Sequence, residues 1–278
     1  MDQLNGRTAL VTGAASGIGL AMTQAFIAEG MNVVMVDVES DRLEKAAREL
    51  RASGANIITA VVDVSKAHQV QSLAERVDAE FGPVHLLCNN AGVEVIGATW
   101  EQTLDDWRWV IDVNLWGVIH GVHTFLPRMR ASGQECHIVN TASMAGLSSA
   151  AYMSSYNVTK FGVVALSETL YKELAHEGSK VGVSVVCPGL IKTHILESRR
   201  NRPGDHPDEG TFGEASQGFR AALSAGVQSG YEPAEVARQV VEAVKEGHFY
   251  VIPAQEQVFK GALTRMDDIK HGRNPTVR

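Results

Sequence analysis

The sequence predicts one α/β domain, a doubly wound parallel sheet of about seven strands with helices on both faces. Short apolar runs alternate with amphipathic stretches, the pattern of strands joined by crossover helices. Polar, small or turn residues follow most of the runs, where the carboxyl ends of parallel strands meet and ligands bind. In chain order these residues are Gly13, Asp37, Asp63, Asn90, Ser143 and Pro188.

Composition places the chain among ordinary globular proteins. Its 278 residues are 45% hydrophobic and 21% charged, without internal repeats or linkers, so we expect residues 1–278 to form a single domain. The formal charge of −7 argues against a nucleic-acid partner.

Cysteines and histidines give no sign of a metal site or a disulfide framework. Cys88, Cys136 and Cys187 each lie in an apolar, strand-like run, as buried thiols do. His120 and His123 lack a third ligand at recognisable spacing. No signal peptide or membrane-length apolar run is evident, so we expect a cytoplasmic protein without a membrane partner.

The first strand, Thr8–Thr12, enters a glycine-rich turn that opens a helix. Glycines stand at positions 13, 17 and 19, with Ser16 and Ile18 between them. Such a turn directs free backbone N–H groups at a phosphate, and a side chain would block close approach of the ligand. The same turn could also be a tight corner between a strand and a helix.

The second strand ends at Asp37, eighteen residues after Gly19. A carboxylate there can accept hydrogen bonds from a ribose diol and repels a 2′-phosphate. Neither residues 14–16 nor Val38 supplies a cation for such a phosphate. These features favour NAD over NADP, although an acid at a strand end is common.

Two further strands add residues to the same edge. The strand 56–63 leads to Asp63 and Val64. Asp63 could accept a hydrogen bond from an adenine amino group, or it could cap the next helix. The strand 84–88 leads into Asn89–Gly92, whose small residues leave an uncrowded floor for a dinucleotide.

A long helix is predicted from Leu104 to Met129. It contains Asn114, a polar residue that competes with the helical hydrogen bonds and is therefore expected to have a function. Trp107, Trp109 and Trp116 are expected to pack in the core or between subunits.

Three chemically active side chains lie between positions 143 and 160. The fifth strand delivers Ser143, and a helix beginning near Tyr156 places Lys160 four residues later on the same face. A nearby cation favours the phenolate, so one ammonium and a second cation would lower the pKa of Tyr156 toward about 7. Tyr156 would then be a proton-transfer group at neutral pH. Taken alone, the pair could be an ordinary amphipathic contact.

The sixth strand, 181–187, ends in a Pro-Gly turn that continues to Thr193, whose hydroxyl could hold a nicotinamide carboxamide. Residues 190–232 are expected to form a variable substrate lid. A helix over Pro233–Glu246 and a strand over 248–253 complete the sheet, and 255–278 forms a C-terminal tail with an amphipathic stretch at 255–270.

Together these motifs resemble the short-chain dehydrogenase/reductase family, whose members have a Rossmann fold. The resemblance spans about Leu4 to Pro253 and rests on the following matches: T-G-A-A-S-G-I-G at 12–19, D-V at 63–64, N-N-A-G at 89–92, Asn114, Ser143, Y-N-V-T-K at 156–160 and P-G at 188–189.

The resemblance implies a role for each matched residue. Tyr156 would be the general acid/base, Lys160 would lower its pKa and hold the nicotinamide ribose, and Ser143 would hydrogen-bond the substrate oxygen. Asn114 would hold a water in a proton relay, and oxidised nicotinamide would be the second cation. Such enzymes are usually homotetramers or homodimers. The expected cofactor-binding residues are Gly13, Ser16, Gly17, Ile18, Gly19, Asp37, Asp63, Val64, Asn90, Ala91, Gly92, Tyr156, Lys160, Pro188, Gly189, Ile191 and Thr193.

The substrate is expected to be a hydrophobic secondary alcohol or ketone. Ser143, Met144, Ala145, Tyr156 and Leu190 are the predicted contacts, and further apolar side chains flank them at Val95, Ile96, Leu147 and Met153. The run around V-N-L-W-G-V-I-H-G resembles dehydrogenases of bulky aryl or alicyclic alcohols.

Two other interpretations remain. A methyltransferase also uses a glycine-rich turn and an acid after the second strand, but has no need of Ser143, Tyr156 and Lys160 in register. A catalytically silent dinucleotide sensor of the same fold is the other alternative.

Overall fold

The computed structural model describes residues 1, 3–204, 212–253 and 255–277, with side chains omitted at 255, 257 and 258. Residues 205–211 of the predicted lid and residue 278 of the predicted tail lie outside the described residues. A seven-stranded parallel sheet in the order β3-β2-β1-β4-β5-β6-β7 forms the centre, which confirms the predicted fold class. The strands are β1 (Thr8–Thr12), β2 (Asn32–Asp37), β3 (Ile57–Val61), β4 (Leu86–Asn89), β5 (Cys136–Thr141), β6 (Val181–Val186) and β7 (Tyr250–Val251).

Helices cover both faces of this sheet. They are α1 (Gly17–Ala28), α2 (Ser40–Arg51), α3 (Ala67–Glu80), α4 (Leu104–Ile111), α5 (Gly117–Ala131), α6 (Ser154–His176), α7 (Glu214–Gln228), α8 (Pro233–Glu246) and α9 (Gln255–Lys270).

Alternate residues of the central strand pack into different layers. Ala9 and Val11 join a cluster with Phe26 of α1 and Val240 of α8, whereas Leu10 joins the opposite cluster with α3 and α5. Side chains of a strand alternate between faces, so a strand buried on both sides must be apolar throughout. This explains the uninterrupted burial of Thr8–Thr12.

The strand order reverses next to β1, which pairs with β2 on one side and β4 on the other. The loops after these strands therefore diverge and leave a crevice at the carboxyl edge of the sheet.

The predicted continuous helix over 104–129 is wrong at its centre. A π-helical turn, Asp112–Trp116, separates α4 from α5 and contains Asn114. The Asn114 side chain accepts from the backbone N–H of Val93 at 2.8 Å and donates to its carbonyl oxygen at 2.8 Å. Short π segments are frequent at functional sites because they redirect one side chain.

The predicted lid contains a 3-10 segment, Ile195–Asn201, and helix α7. Several contacts attach it to the rest of the chain, including those of two carboxylates. Glu101 accepts hydrogen bonds from the Gly213 N–H at 2.7 Å and the Ser216 hydroxyl at 2.5 Å, and Asp106 forms salt bridges with Arg199 and Arg202.

Candidate active site

A cavity of about 930 Å³ opens at the carboxyl edge of the sheet. Of the predicted site residues, those that line it are Gly13, Ser16, Gly17, Ile18, Asp37, Asp63, Val64, Asn90, Ala91, Gly92, Ser143, Met144, Ala145, Tyr156, Lys160, Pro188, Gly189, Leu190, Ile191 and Thr193. Gly19 and Asn114 lie behind this wall and support it.

The glycine-rich turn requires its glycines for geometry. Gly13 and Gly17 have φ angles of 67° and 54°, in the left-handed region that side chains disfavour. A Cβ at Gly19 would lie 2.1 Å from the carbonyl oxygen of Gly13, so helix α1 packs directly on the turn. The resulting N-terminal end of α1 faces the cavity, a place where backbone N–H groups can bind phosphate.

Asn90 ties the floor of the cavity to three strands. Its backbone N–H donates to the Thr12 hydroxyl at 2.9 Å, and its side-chain amide donates to the Thr12 carbonyl at 2.9 Å. Its side-chain oxygen accepts from the Thr141 hydroxyl at 3.2 Å. The loop after β4 is thus held rigidly beside β1 and β5.

The two carboxylates at strand ends are partly occupied by backbone donors. Asp37 accepts from the N–H groups of Ala15 and Glu39, both at 3.0 Å. Asp63 lines the cavity and accepts from the N–H of Ser65 at 2.9 Å, but it does not cap the next helix, whose N-cap residue is Lys66. A carboxylate has about four acceptor positions, so both groups can still receive a ligand hydroxyl or amino group.

The Pro188–Thr193 segment closes the cavity from above. The carbonyl of Pro188 accepts from the Met144 N–H at 2.8 Å, which joins this turn to the loop carrying Ser143. Thr193 lies over the glycine-rich turn, since a Cβ at Gly17 would be 3.1 Å from its methyl group.

Tyr156 and Lys160 share one face of α6, as their spacing predicts. The Lys160 ammonium lies 5.3 Å from the centroid of the Tyr156 ring and donates to the Thr141 carbonyl oxygen at 2.9 Å. Lys160 is 2% exposed, and burial lowers its pKa to about 8. It is therefore a buried ammonium anchored to the end of β5.

The pKa of Tyr156 differs in direction from the sequence expectation. Tyr156 borders the cavity and is half-buried, and burial raises its pKa above the ordinary tyrosine range. The Glu94 carboxylate raises the pKa further, and a hydrogen bond with Ser143 lowers it. Burial is the largest influence, and Lys160 is not among the groups that lower this pKa in the protein alone. The lowering expected from Lys160 together with oxidised nicotinamide stays a prediction.

Sequence reasoning missed several polar residues of the cavity, of which three bear on ligand binding. Glu94 and Ser198 lie at its wall, and Arg200 forms a two-pronged salt bridge with Glu39 across its adenosine end, at 2.8 and 2.6 Å. Glu94 follows the N-N-A-G motif by two residues, which was the available signal. The other two come from the lid, whose placement no local pattern predicts.

The predicted apolar wall needs one correction. Met153 lines the cavity, but Val95 and Ile96 are buried in the protein interior and Leu147 packs against the cluster under α6. Val95 faces inward because it completes a small core with Val110 and Phe212. Lid side chains take their place in the wall, namely Ile195, Leu196, Phe219, Leu223 and Val227.

In the ranges that the structure describes, no helix has both the length and the apolar composition needed to cross a bilayer. Nor do three or more His, Cys, Asp or Glu side chains of those ranges gather into a group that could hold a metal ion. The three cysteines are buried free thiols, as predicted.

The fold and this cavity define a Rossmann-type α/β protein with its ligand site at the strand switch point. A model of short chain dehydrogenases matches residues 7–204, and the chain belongs to that family of oxidoreductases, which act on alcohols and ketones.

Known relatives extend over most of the chain. The C alpha-dehydrogenase of a Sphingobium species is 35% identical over 257 residues, 92% of this chain and 83% of that protein. The 1-deoxy-11-beta-hydroxypentalenate dehydrogenase of Streptomyces avermitilis is 39% identical over 203 residues, 71% of this chain and 74% of that protein. A solved short-chain dehydrogenase from Burkholderia phymatum in complex with NAD is 40% identical, with a TM-score of 0.96 over 100% of this chain and 99% of that chain.

Proposed function

We propose that the protein transfers a hydride between NAD and a hydrophobic, aryl or alicyclic, secondary alcohol or ketone. The observation that carries this proposal is the convergence of Ser143, Tyr156 and Lys160 on one cavity whose far end holds the glycine-rich turn and Asp37. A proton donor and a dinucleotide cradle are the two parts that this reaction needs from a protein.

The chain's own residues would manage the proton and the position of the substrate. With its pKa raised by burial, Tyr156 is protonated at neutral pH, the form that donates to a ketone oxygen. Ser143 supplies a second hydrogen bond to that oxygen, where negative charge develops. When bound, oxidised nicotinamide supplies the hydride acceptor and a positive charge. For alcohol oxidation that charge and Lys160 both favour the phenolate that Tyr156 must become.

The residues at the adenosine end support NAD over NADP. A 2′-phosphate would approach Asp37 and Glu39, and the nearby guanidinium of Arg200 is engaged by Glu39. Two like charges about 4 Å apart repel by about 1 kcal/mol in bulk water and about 4 kcal/mol near a protein surface, and about 1.4 kcal/mol already changes affinity tenfold. That the Burkholderia phymatum relative binds NAD agrees with this preference.

The cofactor prediction is a ratio of dissociation constants. We expect NADH to bind about tenfold or more tightly than NADPH, measured by quenching of protein fluorescence. Asp37→Ser should narrow the ratio by removing the repelling carboxylate, whereas Asp41→Ser, on the exposed surface of α2, should leave it unchanged. Tighter binding of NADPH by the wild-type protein would overturn the role given to Asp37.

The lining of the substrate end supports a bulky apolar substrate. Met144, Met153, Leu190, Phe219 and Leu223 line the cavity that Tyr156 also lines. A relative named for a hydroxypentalenate substrate, an alicyclic compound, points to the same class.

The catalytic proposal is tested by NAD-dependent oxidation of aryl, alicyclic, steroid, sugar and hydroxy-acyl secondary alcohols. We expect turnover within the aryl or alicyclic group. Tyr156→Phe should reduce kcat by about 10²–10⁴-fold, because it removes the proton-transfer group, while the NADH dissociation constant changes less than about threefold.

The alternative is a catalytically silent dinucleotide sensor. Tight NADH binding without turnover of any alcohol in the panel would favour it. Equal activity of Tyr156→Phe and the wild-type protein would contradict the assigned role of the phenol.

A further inference from the structure

Glu94 carries hydrogen-bonding capacity that the protein itself leaves unused. The residue is 6% exposed, and its Oε1 atom is buried without a hydrogen-bond partner. The side chain lines the same cavity as Tyr156. A buried carboxyl oxygen without a partner loses hydration and gains nothing in return, so its presence requires an explanation.

The backbone that presents Glu94 is held from two sides. Asn114 brackets the neighbouring Val93 with hydrogen bonds to its N–H and its carbonyl oxygen. The hydroxyl of Ser198, in the lid, accepts from the Glu94 N–H at 2.9 Å and donates to its carbonyl at 3.2 Å. These contacts hold the residue at the cavity wall and leave the carboxyl group free to bind a ligand.

The electrostatic surroundings restrict what that ligand can be. Burial raises the pKa of Glu94 to about 7, against the attraction of Lys160 and Arg220. A cationic ligand group would be repelled by the same two residues. A neutral hydroxyl would not, and it can donate to either protonation state of a carboxyl group.

Glu94 also lies near the reacting centre, since its charge raises the pKa of Tyr156. Both residues line one cavity, so a small molecule whose reacting oxygen meets Tyr156 can bring a second group to Glu94.

We propose that Glu94 accepts a hydrogen bond from a second hydroxyl of the substrate, so that the enzyme prefers diols and hydroxyketones to the matching mono-functional compounds. The inference rests on the proposed oxidoreductase function and adds a polar specificity contact within an apolar pocket. Sites built to bind a substrate hydroxyl discriminate strongly against analogues that lack it, because the buried partner is then left unpaired.

The test compares matched substrates. Cyclohexanol is compared with cyclohexane-1,2-, 1,3- and 1,4-diol, and 1-phenylethanol with 1-phenylethane-1,2-diol. In the wild-type protein kcat/KM should favour at least one diol about tenfold or more, beyond the statistical factor for two hydroxyls. Glu94→Leu should abolish this preference by lowering kcat/KM for the diol about tenfold more than for the mono-alcohol, because any effect on Tyr156 is common to both substrates and only the diol loses a contact. Glu94→Gln, which keeps an acceptor oxygen, should retain part of the preference.

Other results would overturn the inference. If Glu94→Leu lowered kcat/KM equally for the diol and the mono-alcohol, Glu94 would act by positioning Tyr156. If the diol preference survived in Glu94→Leu, Glu94 would not contact the second hydroxyl of the substrate. Binding of each pair to the NADH complex, followed by NADH fluorescence, does not depend on turnover. Equal binding by the wild-type protein and Glu94→Leu would therefore refute this inference alone, whereas absence of turnover with every alcohol would refute the proposed function.

Discussion

At the scale of single residues, the protonation states of the cavity side chains depend on burial and on neighbouring charges. Burial is the largest influence on Glu94, Tyr156 and Lys160, and it favours the neutral form of each. The charges act second and couple the three groups, because Glu94 raises the pKa of Tyr156 and stabilises the ammonium of Lys160. Removing any one of them should therefore change the titration of the others.

Gly19 permits a close approach that no other residue would. In Gly19→Ala the new methyl group would lie 2.1 Å from the Gly13 carbonyl oxygen and 2.7 Å from the Asn90 amide. We expect about 1–3 kcal/mol of destabilisation in urea unfolding, together with weaker NADH binding.

A matched control is available in Gly218, an exposed residue of α7 with open space around its Cβ position. Gly218→Ala should stabilise the protein by about 0.5–1 kcal/mol, because alanine lowers the entropy of the unfolded chain. If Gly19→Ala proved as stable as Gly218→Ala, the close packing of α1 on the turn would be refuted.

At the scale of elements, one buried carboxylate, Asp106, contributes to the attachment of the lid. Asp106 is fully buried and completes a capping box at the start of α4, accepting from the backbone N–H of Thr103 at 2.8 Å. Its other oxygen lies 3.1 Å from Arg202 and 3.4 Å from Arg199. The same side chain thus caps a helix and neutralises two lid cations.

Asp106→Asn keeps the shape of this residue and removes its charge. We expect about 3 kcal/mol of destabilisation, because two buried guanidinium groups lose the anion they face, and faster proteolysis within 195–204. Asp105→Asn is the matched control, since Asp105 pairs with Arg108 on the exposed surface and should change stability by less than about 0.5 kcal/mol. Equal unfolding midpoints for the two variants would show that the lid is held by other contacts.

The sequence predicts elements well where their periodicity is local. Helix α8 has the predicted bounds, and the strand ends at Asp37 and Asn89 bring the expected residues to one edge. The π turn at Asn114 was missed because its cause is a contact with Val93, distant in sequence. The position of the lid was missed for the same reason, since Asp106 and Glu101 hold it from another part of the chain.

At the scale of the whole molecule, two apolar layers cover both faces of the sheet, so polar groups that are to bind a ligand must lie at its edges. This is why the strand ends carry the site and why the sequence predicted it. Burial depth is a property of the assembled layers, so the sequence did not predict the raised pKa of Tyr156. Packing between subunits stays a prediction, with Leu104, Trp116 and Val158 as exposed apolar residues on the helices concerned.

The buried sheet also makes stability depend on pH through His137, in the middle layer of β5. The residue is 2% exposed, and the Ser184 hydroxyl donates to the His248 carbonyl, so that its oxygen accepts from His137 Nε2 at 2.8 Å. Burial lowers the pKa of His137 to about 3.

This lowered pKa predicts how stability changes with pH. Above the unfolded-state pKa of about 6.5, His137 is neutral in both the folded and the unfolded chain, and its contribution to stability is fully present. As the pH falls below that value, the unfolded chain binds the proton first, and the free energy of unfolding decreases by about 1.4 kcal/mol per pH unit. Between pH 6.5 and pH 4.5, with pH 5.5 as an intermediate point, the free energy of unfolding measured in urea should therefore fall by about 2.3 kcal/mol more in the wild-type protein than in His137→Gln. His68→Gln, which removes an exposed imidazole from α3, is the control, and parallel pH curves for the wild-type protein and His137→Gln would show that this histidine is not the buried group that limits acid stability.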